Sequence, residues 1–185
     1  MAMSPAVTAL TTVLAVLAGS AATYLVGKLT DRDRFARELK VRWDQRRLDA
    51  CLSYVSAAKL TGTVAIQIQQ GRIDGASEAD VAASLQQLGE AEGRRAEAFE
   101  ALPLLADGDT IEAAHDLNRA TWQLTEAARR GMELDEQAWH GKADNWVTAL
   151  NNFHSAARAG LNVPGRFSRR DVAALVISRP ERAAA

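Results

Sequence analysis

Glu112 and His115 are the two residues whose types and spacing come closest to a catalytic motif. A Glu-x-x-His unit on a helix can give two ligands to a metal ion. Two such units with two further Glu residues build the di-iron site of carboxylate bundles. This chain has no second unit, because Glu136 and His140 are four residues apart and His154 has no acid three residues before it. We therefore expect no metal site and no cofactor.

Cys51 is the single cysteine, so it forms no internal disulfide and lacks the partners of a cysteine metal site. We expect it to be a small core residue. The sequence also lacks a Gly-rich phosphate loop, a Gly-x-Ser-x-Gly motif and zinc spacing. These absences favour a protein that is not an enzyme and that binds no nucleic acid.

The composition predicts an all-α fold, because 37 Ala residues accompany only four Pro and few aromatic residues. The predicted architecture is a single N-terminal transmembrane helix continuous with the first helix of an antiparallel four-helix bundle. A short flank (residues 1–5) precedes the transmembrane helix (6–27). A basic juxtamembrane stalk (28–47), the cytoplasmic bundle (48–162) and a basic tail (163–185) are expected to follow.

The proposed span, residues 6–27, has 22 residues without a charge. As a helix it is about 33 Å long, which matches a hydrocarbon core of about 30 Å. A cleaved signal peptide is one alternative, although no Lys or Arg precedes the run, and a buried soluble helix is another. The bases that follow the run predict an outside N-terminus and a cytoplasmic C-terminal domain. They are Lys28, Arg32, Arg34, Arg37, Lys40, Arg42, Arg46 and Arg47.

Small residues recur every four positions within the span, at Ala15, Gly19, Thr23 and Gly27. Such a stripe lets a second helix approach closely, so it predicts a possible homodimer through the transmembrane helix. An Ala-rich span also produces such stripes by chance.

No Pro or Gly lies between Gly27 and Gly62, which favours one long helix from the span into the bundle. A fresh helix start capped by Thr30, with Asp31 and Asp33 in its first turn, is the alternative. Beyond the stalk the apolar positions fall near one side and predict the bundle face of this helix. They are Leu48, Cys51, Leu52, Val55, Ala58, Ala65 and Ile66.

Three more helices are predicted from their boundaries. Ser77 with Asp80 resembles a capping box, Asp109 with Glu112 caps the next helix, and the last helix begins near Asp135. Trp139, Trp146 and Phe153 recur every seven residues in this last helix. We interpret them as core aromatics, with a ligand pocket as the alternative.

The charges are segregated along the chain. Residues 74–136 carry 15 acids and five bases, whereas residues 28–47 carry eight bases and four acids. Anionic headgroups would attract the basic segment. The acidic middle is either a partner surface or a solvated face with helical charge pairs.

The stretches "RWDQRRLDACLSYVSAA" and "FHSAARAGLNVPG" carry a resemblance to small actinobacterial membrane-anchored helical proteins. In layout and composition, most of the chain resembles these proteins. This resemblance implies no activity. The span and long charged helix are also similar to the peripheral-stalk subunit of rotary ATPases. However, "GRIDGAS", "PLLADGD" and "RGMELD" break the continuous rod of that family.

Together these features predict a non-enzymatic scaffold that holds an unidentified protein partner at the cytoplasmic face of the lipid bilayer. The alternative is a small-molecule-sensing bundle with a pocket near Trp139 and Trp146. A carboxylate-bridged metalloenzyme is the third hypothesis.

Overall fold

The computed structural model describes residues 5–131, 136–165 and 167–169. Within residues 5–36 the backbone is described throughout, and side-chain surroundings are described at Gly19, Tyr24, Lys28, Arg34 and Phe35. All regular structure in these residues is helical. The helices are α1 (Pro5–Ile73), α2 (Glu78–Phe99), α3 (Leu102–Leu105), α4 (Gly108–Arg130) and α5 (Glu136–Gly160).

Helix α1 is one uninterrupted helix of 69 residues, and the long helix expected from the stretch without Pro or Gly between Gly27 and Gly62 lies within it. It ends in a Schellman turn, where the Ala76 N–H donates to Gly71 O and Gly75 has a φ of 78°. Among the described residues, no helix has both the length and the apolarity that crossing a membrane requires. The side chains of Ala15 and Thr23 and the surroundings of Gly27, three members of the predicted packing stripe, lie outside the described residues.

The chain divides into two compact units, Met1–Asp44 and Gln45–Ala185. The second unit is the helical bundle, and its contacts give the direction of each helix. Arg47 Nε donates to Leu105 O at 2.7 Å, and Tyr54 Oη donates to Ala114 O at 2.9 Å. Arg72 donates to Ala128 O further along, so α1 and α4 run parallel.

The other two long helices run in the opposite direction. Glu92 of α2 pairs with Arg129, whereas Phe99 lies against His115 at 5.1 Å between ring centroids. On α5, Phe153 contacts Tyr54 at 5.0 Å, and Trp146 lies against Gly62. The bundle is therefore an up-down-up-down arrangement of four long helices, with α3 as a single turn between α2 and α4.

The core of the bundle contains aromatic and aliphatic side chains from all four long helices. Tyr54, Leu88, Leu117, Leu124, Trp146, Leu150 and Phe153 are each at most 1 % exposed. Threonines are buried among them, and Thr121 Oγ1 donates to Leu117 O within its own helix at 2.7 Å. This bond satisfies a hydroxyl that has no access to water.

The predicted core face of α1 is wrong at two positions. Leu48 and Leu52 are 37 % and 53 % exposed, whereas Tyr54 and Thr61 are fully buried. The buried positions of α1 lie about a quarter turn around the helix from the face that the leucines suggested. Cys51, Val55, Ala58 and Ala65 are buried as expected.

The helix caps agree with the predictions at α2 and differ from them at α4. Ser77 caps α2, accepting from the Asp80 N–H and donating to the Asp80 carboxylate, as expected. Helix α4, however, is capped by Asp107 and not by Asp109, because the Asp107 carboxylate accepts from the Thr110 N–H. The acid that caps a helix is the one with extended backbone, and Asp107 has a ψ of 167°.

Candidate interaction surface

Glu112 and His115 do not converge on a metal site. Both side chains are exposed on α4, and the His115 ring packs edge-on against Phe99. Among the described residues, no group of three or more His, Cys, Asp or Glu residues is arranged to hold a metal ion.

Cys51 is buried in the bundle core, and its thiol is not a nucleophile candidate. Burial, followed by the negative charge of Asp107, raises the pKa of the Cys51 thiol. A raised pKa keeps the sulfur protonated at neutral pH, and a thiol in that state is unreactive.

Trp139, Trp146 and Phe153 lie in the core, at 8 %, 1 % and 1 % exposure. The Trp146 indole fills the space beside Gly62, where a Cβ atom would overlap the ring. Four grooves on the described part of the bundle are lined by other residues and not by these three aromatic side chains. The aromatic side chains are thus packed against protein.

The basic residues of positions 28–47 differ in their surroundings. Lys28, Arg34, Lys40 and Arg42 are exposed, and Arg34 pairs with Glu38 four residues on. Arg47 instead belongs to the bundle, where its guanidinium caps the carbonyl of Leu105. Arg37 and Arg46 are exposed, and the side chain of Arg32 lies outside the described residues.

Of these four grooves, the one between α4 and α5 has the most charged lining residues, and its volume is about 690 Å³. We call it the α4–α5 groove. Its wall on α4 carries acidic side chains and its floor carries small residues. The lining residues are Asp107, Asp109, Glu112, Ala113, Asp116, Asn152, Ser155, Ala156, Ala159, Gly160 and Arg169.

Asp107 lines this groove and is held in place by its own hydrogen bonds. Its carboxylate accepts from the Thr110 N–H and from Thr110 Oγ1, both at 3.0 Å, and it occupies the space beside Gly160 that a side chain would fill. Partial burial of the carboxyl works against ionisation. The Thr110 hydrogen bonds and the nearby Arg47 charge outweigh it, so the pKa of Asp107 is lower than usual.

The segment after α5 turns back along the helix and brings an arginine to the groove. The Val163 N–H donates to Arg158 O and Asn162 has a φ of 54°, which is a Schellman turn with Asn in the left-handed position. Phe167 then stacks on His154 with ring centroids 5.5 Å apart, and Arg169 donates to Asn152 at 3.4 Å. The guanidinium of Arg169 therefore lines a groove whose opposite wall is acidic.

The sequence pattern did not reveal this groove. Asp109, Glu112 and Asp116 follow helical spacing and are visible as one acidic face, which was the only available signal. Arg169 belongs to the predicted basic tail of residues 163–185. Its approach to α5 depends on contacts between residues 17 positions apart, which periodicity does not detect.

We predict that Asp107→Ala lowers the free energy of unfolding by about 1 kcal/mol, because the Thr110 N–H loses its acceptor. Since the folded pKa is lowered, the carboxylate stabilises the fold above its ordinary pKa of about 4. That stabilisation is lost as the pH falls through the folded value. Asp107→Asn retains an acceptor and should lose only this pH-dependent part.

Urea unfolding followed by circular dichroism at pH 7 and pH 3 measures both effects. Asp109 lies two residues after Asp107 and makes no capping bond. The free energy of unfolding of Asp109→Ala should therefore stay within about 0.5 kcal/mol of that of the natural chain. Equal losses from Asp107→Ala and Asp109→Ala would contradict the assignment of the cap.

Comparison with protein-family models, with curated proteins and with solved structures finds no match for this chain.

Proposed function

We propose that this protein is a non-enzymatic scaffold, tethered to the cell membrane by residues 6–27, that holds a protein partner at the cytoplasmic face. The α4–α5 groove is the observation that carries this proposal. Its small-residue floor leaves room for a peptide backbone, and its acidic wall selects a partner segment with Lys or Arg side chains.

Arg169 supports the choice of a basic segment. This arginine comes from the chain itself, lines the groove and donates to Asn152 on its rim. It shows the size and charge of a side chain that the groove accommodates. A partner arginine would meet the carboxylates of Asp109, Glu112 and Asp116 in the same space.

The support for the tether comes from the sequence. Residues 6–27 are uncharged, and exposed bases follow at Lys28, Arg34, Lys40 and Arg42. A run of this length followed by bases favours a single pass with the bundle on the cytoplasmic side. The same bases are placed to contact anionic headgroups.

The ligand-sensing alternative requires open space near Trp139 and Trp146. The ring of Trp146 instead packs against Gly62, and both indoles are buried. The scaffold is therefore the function that the geometry supports best.

Affinity purification from crosslinked native membranes tests the proposal. The tagged full chain should recover one protein partner in a near-stoichiometric amount. Replacing Asp109, Glu112 and Asp116 by Asn, Gln and Asn should reduce that recovery at least tenfold, because three of the four carboxylates that line the groove are removed.

The matched control removes the same number of charges elsewhere, with Glu78→Gln, Glu100→Gln and Asp144→Asn. It should recover the partner as the natural chain does. Recovery of no stoichiometric partner would refute the scaffold, and equal recovery by both triple variants would refute the groove as its contact surface.

A further inference from the structure

Helix α1 exposes a row of leucines on the outside of the bundle. Leu48, Leu52 and Leu60 are 37 %, 53 % and 42 % exposed, and each lies a multiple of four residues from the next. Ser56 fills the position between Leu52 and Leu60 in the same row. Residues four apart form one continuous ridge on a helix surface. We call this row the leucine ridge.

A groove between α1 and α2 adjoins the leucine ridge. It consists of two neighbouring hollows of about 580 and 190 Å³ that share Leu60 and Arg94. Half of its lining side chains are small, including Ser53, Ala57, Ala91, Ala98 and Ala101. This α1–α2 groove is shallow and apolar enough to accept the ridge of another helix.

The rim of the α1–α2 groove carries both signs of charge within two helical turns. Glu90, Arg94 and Glu97 are exposed on α2, and within the described part of the chain none of them forms an ion pair. A second surface with the same rim places a glutamate, Glu90 or Glu97, within one helical turn of its own Arg94, so it can offer the opposite charge to both signs of this rim. A purely acidic or purely basic partner would meet like charge on this rim.

We propose that the leucine ridge and the α1–α2 groove together form a two-fold interface with a second copy of this chain. In a two-fold interface the same patch serves both copies, so a ridge must lie beside a groove that fits it. Here the two features share Leu60, and the leucines lie on either side of Ser56. A two-fold axis near Ser56 brings leucines of both copies together while the small serine allows close approach.

This interface is separate from the stripe of Ala15, Gly19, Thr23 and Gly27. A dimer held by that stripe alone need not bring the bundle surfaces together. The position of the contact, and not the mass of the complex, therefore distinguishes the two.

Cysteine crosslinking of the full chain in detergent-solubilised membranes tests the contact. In a Cys51→Ala background, Ser56→Cys should give a disulfide-linked dimer on oxidation, because disulfides form only when the two Cα atoms lie within about 7 Å. Thr148→Cys, exposed on α5, is the control, and the Ser56→Cys yield should exceed it at least fivefold.

Adding Leu60→Glu to Ser56→Cys should lower the crosslink yield at least fivefold. Leu104→Glu, at an 82 % exposed leucine on α3 outside the ridge, should leave it unchanged. Leu52→Glu, on the other side of Ser56, repeats the test if Leu60→Glu loses its helical circular dichroism. A Ser56→Cys yield equal to that of Thr148→Cys would overturn the proposal. A product whose mass is not twice that of the chain would show another occupant and also overturn it.

Discussion

Replacing Gly62 by alanine should lower the free energy of unfolding by about 1 to 3 kcal/mol, although alanine is the better helix former. Gly62 is buried within α1, and its missing side chain leaves room for the Trp146 indole. The added Cβ would overlap three ring atoms of an aromatic side chain that is 1 % exposed. A rigid ring in a packed core cannot move aside without displacing its own neighbours.

Gly93→Ala is the matched control for this substitution. Gly93 is exposed inside α2 and nothing lies near the position of an added Cβ. Alanine should therefore raise the free energy of unfolding by about 0.5 to 1 kcal/mol there. Denaturant unfolding followed by circular dichroism measures both changes.

A double substitution separates overlap from helix propensity. Trp146→Phe leaves a smaller ring and also removes the indole N–H, which is buried and has no hydrogen-bond partner in the part of the chain that the structure describes. Gly62→Ala should therefore cost less in the Trp146→Phe background than in the natural chain. Equal costs in the two backgrounds would contradict the close packing of Gly62 and Trp146.

Asn118→Leu should lower the free energy of unfolding by about 1 to 3 kcal/mol. Asn118 Oδ1 accepts from Arg95, and it lies 3.1 Å from the Tyr54 hydroxyl, whose single hydrogen it shares with Ala114 O. Burial raises the pKa of Tyr54, with the Arg95 charge acting in the opposite direction, so the phenol remains a donor at neutral pH. Removing the amide leaves Arg95 without a hydrogen-bond acceptor among the described residues, and its Nε is buried and unpaired already.

The cost should fall when the donor is removed as well. Arg95→Met with Asn118→Leu should destabilise by less than the sum of the two single changes, because no charged group is left unpaired. Gln86→Leu, an exposed polar residue on α2, should stay within about 0.5 kcal/mol of the natural chain. Urea unfolding of the natural chain, the two single variants and the double variant gives the coupling energy between Arg95 and Asn118. Additive effects in the double variant would contradict the hydrogen bond between these two residues.

The four long helices and their order were predictable from the sequence because their boundaries use local chemistry, whereas the single turn of α3 was not predicted. The Ser77 cap and the uninterrupted α1 depend on residues within a few positions of each other. The all-α class follows from composition in the same way. Asp107 was missed as a cap because Asp107 and Asp109 are alike in sequence, and only backbone conformation distinguishes them.

The core face of α1 was predicted less well for a physical reason. This helix carries two apolar rows, one with Leu48, Leu52 and Leu60 and one with Cys51, Val55, Ala58 and Ala65. Periodicity finds both rows but does not determine which of them faces the other helices. Tyr54 and Thr61 are polar in sequence and buried in the bundle, since each finds a hydrogen-bond acceptor there.

The pairing of α1 with the second half of the bundle also constrains how the chain folds during synthesis. The hydrogen bonds from Arg47, Tyr54 and Arg72 reach residues 58, 60 and 56 positions later. Contacts over such separations form only after the intervening chain has been made. The bundle half of α1 therefore lacks these three acceptors during the interval in which the chain up to α4 is being synthesised. We expect this interval to be the stage at which the nascent chain depends most on chaperones that bind apolar surface.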